Sequence, residues 1–240
     1  MPHFLIKKEE IFNSFIELKT NENLFHITKV LRAKCGEKIK FIDENQIVYH
    51  CEINEISKNY LKANILTSEK SQRILNYNLC LIQSILAPDA QNLAIANAVQ
   101  TGVKEIYPVI SDNVSQSLKT LENKKEKWEK IAIENFKQCE RADLATIQPI
   151  KTLKEALEEF KKENILIFAE KYVNIELNKA LVDINKQEKI AVVIGPEGGF
   201  SQKEFEYFID NKYKLISLGN MIYKAPNAIT AGISNVITRI

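Results

Sequence analysis

The sequence of 240 residues predicts a two-domain α/β protein, in which a small β-barrel precedes a larger domain built on a parallel sheet. Over residues 1–70, short apolar runs alternate with polar turns, a pattern typical of antiparallel strands. From residue 73 onward, apolar runs of strand length alternate with helical patterns, which indicates parallel strands covered on both faces. The polar stretch 69–75 separates the two patterns, so we predict domains at 1–70 and 73–240.

The first domain contains three strand patterns and one short helix. Residues 38–42 and 47–53 predict a hairpin with its turn at 43–46, and residues 60–66 predict a further strand. Residues 23–32 predict a helix that ends before Gly36. Its buried face is expected to carry four apolar side chains, Leu24, Ile27, Val30 and Leu31.

The second domain follows the order expected of a sheet with crossover helices. Strands are predicted over 78–86, 105–110, 165–169, 191–194 and 215–218. Helices are predicted over 89–101, 121–141 and 227–240, the first ending at Gly102. Ligands of such sheets bind beyond the carboxyl ends of the strands, so the loops after these strands are the candidate site.

Charge and cysteine content point to no metal and no membrane. The formal net charge is only +2, although residues 26–40 concentrate cations that either contact phosphates or form a solvated face. The four cysteines form no CxxC pair, which argues against a zinc site and is typical of reduced thiols in the cytoplasm. Since neither a signal peptide nor a membrane-spanning apolar run is recognised, we expect a cytoplasmic protein.

Two glycine-containing loops follow strands of the second domain. Gly195, Gly198 and Gly199 come directly after the strand at 191–194, and Ser201-Gln202-Lys203-Glu204 then forms a capping box. This loop is neither a dinucleotide-binding nor a P-loop motif, so it is either a ligand loop or a plain tight turn. Gly219 follows the strand at 215–218, and Phe168 lies at the end of a third strand. These three strand ends are expected to form one concave pocket.

Ordered motifs along nearly the whole chain resemble a known family. IGPEGGFSQKE at 194–204 and ISLGNMIYK at 216–224 resemble the SPOUT class of methyltransferases. HITKVLR at 26–32 with Gly36-Glu37, QTGVKEIYP at 100–108, WEKIA at 128–132 and QCER at 138–141 resemble stretches of the RsmE family. That family methylates N3 of a uridine in small-subunit ribosomal RNA.

The resemblance implies a fold, a cofactor and partners. The fold is a PUA-like β-barrel followed by a SPOUT α/β domain with a deep trefoil knot. The protein would be a homodimer whose active site lies at the subunit interface, and its substrate would be 16S ribosomal RNA within the assembled small subunit. The cofactor would be S-adenosylmethionine, surrounded by seven residues of the strand-end loops: Phe168, Gly195, Glu197, Gly198, Leu218, Gly219 and Ile222.

The chain departs from the family pattern in the last loop. The family carries two arginines where this chain has Met221 and Lys224, and a Thr-Glu pair where it has Ala225-Pro226. A family Lys-Gly is also replaced, by the stretch 87–89. A lysine keeps the positive charge of an arginine but loses its bidentate geometry, so these changes affect how the target base is oriented.

Catalytic roles are assigned to three residues. Lys224 and Arg141 are expected to stabilise negative charge on the uracil carbonyls. Glu197 acts either as the base or as an acceptor of loop N–H groups.

RNA binding is assigned to one side of the predicted N-terminal helix, which carries His26, Lys29 and Arg32. For His26 the alternative is a structural histidine. Three other functions remain open: a non-catalytic RNA-binding relative, a SPOUT methyltransferase with another RNA target, and an unrelated nucleotide-binding enzyme, although a phosphate-loop motif for the last is missing.

Overall fold

The computed structural model describes residues 3–114, 121 and 124–240. The chain forms two units. The first comprises Met1–Ile74 and Phe136–Asp143, and the second comprises Leu75–Asn135 and Leu144–Ile240. The break after Ile74 lies within the polar stretch where the sequence changes pattern, but the grouping of residues 136–143 with the first unit differs from the division expected from the sequence.

Specific contacts explain why this returning segment belongs to the first unit. The carboxylate of Glu140 accepts a hydrogen bond from Lys40 Nζ at 3.0 Å, and the ring of Phe136 lies 4.7 Å from that of His3 in an edge contact. The backbone N–H of Ala142 donates to the Arg73 carbonyl at 3.2 Å. Sequence periodicity does not reveal these contacts, since their partners are up to 133 positions away.

The first unit is built on one five-stranded sheet. Its strands are β1 His3–Leu5, β2 Phe15–Lys19, β3 Lys38–Ile42, β4 Ile47–Ile56 and β5 Tyr60–Lys70. They are arranged in the order β1-β3-β4-β5-β2, with β1 parallel to β3 and every other pair antiparallel. The hairpin of β3 and β4 confirms the sequence-based expectation. All five strands contribute to a single apolar core that includes Phe4, Leu18, Phe41, Ile53 and Leu61.

A short helical segment closes this core. Helix α1, Glu22–Phe25, begins after Asn21, whose side chain accepts the Leu24 N–H at 2.8 Å, and continues into a π-turn at His26–Val30. Leu24 and Ile27 are buried as expected, but the prediction for Val30 and Leu31 is wrong, because they are 60% and 43% exposed. A π-turn bonds residue i to i+5 and turns less per residue than an α-helix, so the later side chains rotate away from the core.

The second unit is built on a parallel sheet, as the sequence predicts. Its strands are β6 Leu79–Ser84, β7 Glu105–Ile110, β8 Thr146–Ile147, β9 Lys151–Thr152, β10 Ile165–Phe168, β11 Ile190–Ile194 and β12 Lys214–Ile216. They lie in the order β12-β10-β11-β6-β7, with β8 and β9 both paired to β7, and every described pair is parallel. β10 and β11 are buried throughout, which explains their continuous apolar sequences.

Six described helices accompany this sheet. They are α2 Pro88–Gln100, α3 Lys125–Cys139, α4 Leu153–Leu157, α5 Leu177–Ala180, α6 Gln202–Asp210 and α7 Ala225–Ile237. Residues 122 and 123 of the predicted helix 121–141 lie outside the described residues, and α3 accounts for most of the rest. Gly102 follows α2 with a φ of +94°, as expected of the residue that ends a helix. In the described part of the chain, helices long and apolar enough to cross a bilayer are not found.

Candidate active site

Three strands end at the same level of the parallel sheet. Phe168, the last residue of β10, is opposite Ile194 of β11 on one side and Ile216 of β12 on the other. The loops that follow β11 and β12 therefore begin on the two sides of Ala169, about 10 Å apart at two strand spacings. The two glycine-containing loops thus start side by side at the carboxyl edge, where ligands of parallel sheets bind.

The loop after β11 depends on its glycines. Gly199 has a φ of +69° and donates its N–H to the Pro196 carbonyl at 2.9 Å. A Cβ atom added to Gly195 would lie 3.2 Å from the Phe200 ring, closer than an ordinary contact. A side chain at either position would force this loop to change its path.

The start of helix α6 fixes the far end of that loop. Ser201 and Glu204 form the capping box that the sequence predicts, with the Glu204 N–H donating to Ser201 Oγ at 3.1 Å. Ser201 Oγ in turn donates to the Asp112 carboxylate at 2.6 Å, and Glu204 accepts the Asp112 N–H at 3.1 Å. Burial raises the pKa of Glu204 above its ordinary value despite these donated hydrogen bonds. The cluster joins the loop after β7 to the end of the glycine loop.

Two polar contacts hold the middle of the glycine loop. The carboxylate of Glu197 accepts the backbone N–H of Ala87 at 3.1 Å, and Asn113 Nδ2 donates to the Gly199 carbonyl at 2.9 Å. Sequence reasoning missed Asn113 and, although it singled out the stretch 87–89, the contact of Ala87 with Glu197, because both residues reach this loop only through the order of strands in the sheet. The residues around Asn113 and Ala87 in the sequence form no motif that indicates these contacts.

The loop after β12 is short and exposed. Ser217 Oγ accepts the Gly219 N–H at 3.0 Å, and Gly219 has a φ of +105°. Met221 and Ile222 are 72% and 79% exposed, an unusual position for two large apolar side chains. Lys224 precedes the first residue of α7 and keeps an exposed side chain beside this loop.

The two other residues assigned to the cofactor have less accessible side chains. The ring of Phe168 is buried against Gly232 of α7, where an added Cβ would lie 3.2 Å from it. Leu218 is half-buried. At Phe168 the backbone at the strand end is therefore the part that borders the candidate site.

Arg141, the second predicted charge stabiliser, lies in the first unit. Its guanidinium is ion-paired with the Asp143 carboxylate, with Nη2 at 2.9 Å, and its side chain is almost completely buried. An arginine in this state holds its own segment in place, and the predicted catalytic role of Arg141 stays a prediction.

The three predicted RNA-binding residues also lie in the first unit. Lys29 and Arg32 are exposed, and His26 is half-buried with its ring 5.6 Å from that of Phe4 in an edge contact. Arg32 has a φ of +54°, a left-handed conformation that costs a non-glycine residue about 1–2 kcal/mol. Groups of three or more side chains suited to a metal ion are not found among the described residues.

Comparisons with known proteins agree with this architecture. Residues 73–237 match the family model of the RNA methyltransferase domain, and residues 20–66 match that of the RNA methyltransferase PUA domain. The ribosomal RNA small subunit methyltransferase E of Mesomycoplasma hyopneumoniae is 32% identical over 228 residues, which cover 94% of this chain and 93% of the relative. The protein of that name from Rickettsia conorii is 28% identical over 226 residues, covering 93% and 90%.

One solved structure is similar over nearly its whole length. It is a ribosomal RNA small subunit methyltransferase E from Neisseria gonorrhoeae, crystallised with S-adenosyl methionine. Its TM-score is 0.84 and its sequence identity 25%, and the match covers 99% of this chain and 97% of that chain.

Proposed function

Because this chain belongs to the ribosomal RNA small subunit methyltransferase E family, we propose that it transfers a methyl group from S-adenosylmethionine to N3 of a uridine in the decoding region of 16S ribosomal RNA. The observation that carries the proposal is the convergence of the loops after β10, β11 and β12 at one edge of the sheet. The chemistry of these loops supports a methyl-donor site, as follows.

The backbone of these loops offers the access that S-adenosylmethionine would need. Among the described residues, apart from its two chain neighbours, a Cβ atom added to Gly199 or to Gly219 would meet nothing within 4 Å, so the backbone is accessible at both positions. Backbone N–H and C=O groups next to such space can bind the edge of an adenine ring, and the exposed side chain of Ile222 can cover its face. Gly195, Gly198, Leu218 and the backbone of Phe168 would complete the site.

The residues of this chain would act on the uridine. The cofactor, when bound, supplies a methyl group on a positively charged sulfur. Uridine N3 carries a proton at neutral pH, and removing it leaves negative charge on the ring nitrogen and the carbonyl oxygens. Lys224 would stabilise that charge from the start of α7, where its backbone carbonyl is fixed by the N–H groups of Asn227 and Ala228, both at 2.9 Å.

Glu197 has a positioning role in this proposal. One of its carboxylate oxygens is engaged by the Ala87 N–H, which favours the second of the two roles expected from the sequence. Since Asp143 already neutralises Arg141, we expect the larger share of charge stabilisation to come from Lys224. Holding two substrates in line supplies much of the acceleration of such a transfer.

The first unit would bind the ribosomal RNA. Lys29 and Arg32 supply exposed positive charge in the same short segment as Val30 and Phe25, two exposed apolar side chains. A segment that carries cations and an exposed aromatic ring suits an unpaired stretch of RNA, because its bases are free to stack while its phosphates are neutralised. His26, which contacts Phe4, would contribute from the edge of this surface.

The proposal extends to the state of the protein and its substrate. We infer a homodimer in the cytoplasm that modifies the assembled small ribosomal subunit. A partner subunit would cover the exposed apolar side chains of residues 221–223. The trefoil knot implied by the family resemblance remains a prediction.

Reverse transcription across the decoding region of 16S ribosomal RNA tests the activity. Methylation at N3 blocks Watson–Crick pairing, so extension should stop one nucleotide before the modified uridine. The stop should vanish when the gene is deleted and return on complementation with the wild-type gene. If the stop persists in the deletion strain, the proposed substrate is wrong. Methylation of another nucleotide, seen in a nucleoside digest, would indicate a different RNA target.

A further inference from the structure

The second unit buries an uncharged polar cluster beside the candidate site. Gln83 at the end of β6 and Gln91 in the first turn of α2 are 0% and 1% exposed. Gln91 Nε2 donates to Gln83 Oε1 at 2.9 Å, and Gln83 Nε2 donates to the carbonyl of Ser84. Gln83 pairs in the sheet with Ile194, the residue before Gly195. The cluster therefore lies one strand from the start of the glycine loop.

Each backbone N–H in the turn after β6 has its own acceptor. The Ile85 N–H donates to the Val109 carbonyl at 2.9 Å, within the sheet. The Leu86 N–H donates to Gln91 Oε1 at 2.9 Å, and the Ala87 N–H donates to Glu197 at 3.1 Å. Two of these three acceptors are side chains, Gln91 of α2 and Glu197 of the glycine loop.

Three hydrogen bonds lead from Ser84 to Leu86, and the peptide bond to Ala87 connects them with a fourth, to Glu197. The carbonyl of Ser84 fixes the amide of Gln83, which orients Gln91, and Gln91 holds Leu86 next to Ala87. The Ala87 N–H then points at Glu197. We propose that Gln91 is a positioning residue of the methyl-donor site, acting through the turn at 85–87 on Glu197 and the glycine loop.

The burial of two glutamine side chains indicates that Gln91 does more than fill space in the core. Replacing two hydrogen-bonded buried groups by apolar side chains of the same shape is often neutral for stability, so a glutamine pair is not needed to fill this space. What apolar side chains cannot do is accept the Leu86 N–H. The specific contribution of Gln91 is thus the geometry of the turn that contacts Glu197.

The inference rests on the proposed function and is tested by binding. We would measure the Kd of S-adenosylmethionine by calorimetry for the wild-type protein, for Gln91→Met and for Gln100→Met. Gln100 is a matched control, since it lies on the same helix, is itself exposed and donates to the side chain of Asn135 at 2.7 Å. We expect Gln91→Met to bind about tenfold more weakly, the effect of about one lost buried hydrogen bond, and Gln100→Met to bind within about twofold of wild type.

The variant Gln91→Glu distinguishes a positioning role from a purely stabilising one. Gln91→Glu keeps an acceptor for the Leu86 N–H but loses the donor toward Gln83 Oε1, unless the buried carboxyl is protonated. Burial raises the pKa of such a group, so protonation is expected within the working range of the protein. The Kd of Gln91→Glu should therefore approach the wild-type value as the pH falls from about 8.5 to about 5.5. If Gln91 only stabilised the fold, the ratio of the Kd of Gln91→Glu to the wild-type Kd would not change with pH.

The outcomes distinguish this inference from the proposed function. If the folded wild-type protein binds no S-adenosylmethionine, the proposed function fails. If the wild type binds but Gln91→Met binds equally well, or the Gln91→Glu ratio does not change with pH, the positioning role is overturned and the proposed function stands. Thermal unfolding of each variant, measured without cofactor, shows that the binding data refer to folded protein.

Discussion

Lys224 carries the positive charge that the proposed reaction needs at the start of α7. Lys224→Ala should lower the rate of methyl transfer about a hundredfold, because a charge facing the developing anion is lost. The Kd of S-adenosylmethionine should stay within about twofold, since the charge acts on the uridine and not on the cofactor. Both quantities can be measured with purified protein and small subunits that lack the modification.

Two further variants control this experiment. Lys224→Arg keeps the charge and should retain most of the activity, whereas Lys203→Ala removes an exposed lysine of α6 and should change neither quantity. Unchanged turnover in Lys224→Ala would remove this residue from the mechanism.

Arg32 combines an unfavourable backbone conformation with an exposed charge. Its left-handed φ of +54° would suit a glycine, and the following N–H, of Ala33, closes the segment onto the Ile27 carbonyl at 3.1 Å. We expect Arg32→Gly to leave the free energy of unfolding unchanged or raise it by up to about 1 kcal/mol. The same variant should bind ribosomal RNA more weakly and with a smaller salt dependence.

Gln46→Gly is the matched control for Arg32→Gly. Gln46 is also a non-glycine residue at positive φ, +64°, in the first unit, but it carries no charge. Its replacement should affect stability in the same direction without changing RNA binding. If both variants bind RNA as the wild type does, Arg32 does not contact the RNA.

His3 predicts a pH dependence of stability. Burial lowers its pKa from 6.5 to about 4, an effect that neighbouring Glu140 opposes only in part. Between these two pH values the unfolded chain binds a proton that the folded protein does not, so the free energy of unfolding falls as the pH drops from 6.5 to 4. The contribution is up to about 3 kcal/mol and is fully present above pH 6.5.

Urea unfolding of the wild type and of His3→Gln over this pH range measures that contribution. The wild type should lose stability more steeply toward acid than the variant, and His50→Gln controls for removing a histidine that is only half-buried. Parallel curves for wild type and His3→Gln would contradict the prediction.

At the scale of elements, the sequence predicts what local patterns encode. The apolar runs of β10 and β11 and the hairpin of β3 and β4 were identified because burial and turn chemistry are visible in neighbouring residues. β1 and β2 were missed because each is a short strand completed by distant partners, and β8 and β9 have only two residues each. The π-turn was not predicted, because the spacing of apolar residues does not indicate hydrogen bonds from residue i to i+5.

The candidate site shows the same division. Its glycine loops were predicted from their position after buried strands, whereas Asn113 and Gln91 were not, since they reach the site only through the strand order β12-β10-β11-β6-β7. The sequence does contain one local signal of the buried network. Gln83 follows four apolar residues within β6, and a polar residue in a buried strand indicates a hydrogen-bond partner in the core.

The amino edge of the parallel sheet is stabilised by charge rather than shaped for a ligand. Glu105, at the start of β7, accepts hydrogen bonds from Lys189 at 2.8 Å, from Asn78 at 2.9 Å and from the Tyr107 hydroxyl at 2.9 Å. Burial alone would raise the pKa of Glu105, but these donors outweigh it and hold the pKa below its usual value. The carboxylate therefore stabilises the fold at neutral pH, and this stabilisation is lost as the pH falls through its lowered pKa.

Lys189→Met should lower the free energy of unfolding by about 1 kcal/mol at pH 7. This is less than the loss expected for a fully buried ion pair, because the lysine is partly exposed. The loss should disappear in acid, where Glu105 is protonated in both proteins. Lys161→Met breaks a more exposed pair, with Glu188, and should cost much less. Equal losses in the two variants, or a loss that does not change with pH, would contradict this account of the amino edge.

At the scale of the whole molecule, the exposed side chains of residues 221–223 are the candidate surface for the proposed homodimer. Met221, Ile222 and Tyr223 are 72%, 79% and 41% exposed in a loop that borders the proposed cofactor site. A cofactor can cover only part of three large apolar side chains, and a second copy of the chain would cover the rest. The homodimer and the cofactor site are thus expected to depend on one another.

Sedimentation of Met221→Glu tests this dependence. We expect the wild-type protein to be a dimer and Met221→Glu to dissociate at concentrations at least about tenfold higher than the wild type, because a carboxylate would have to be buried against apolar surface. Val182→Glu is the control, since Val182 is 79% exposed and lies outside this loop. S-adenosylmethionine should shift the wild type further toward the dimer, because we expect the covered loop to bind it more tightly than the uncovered loop does. A wild type that is monomeric with and without the cofactor, or a Met221→Glu dimer as stable as that of Val182→Glu, would mean that residues 221–223 do not face a second copy of the chain.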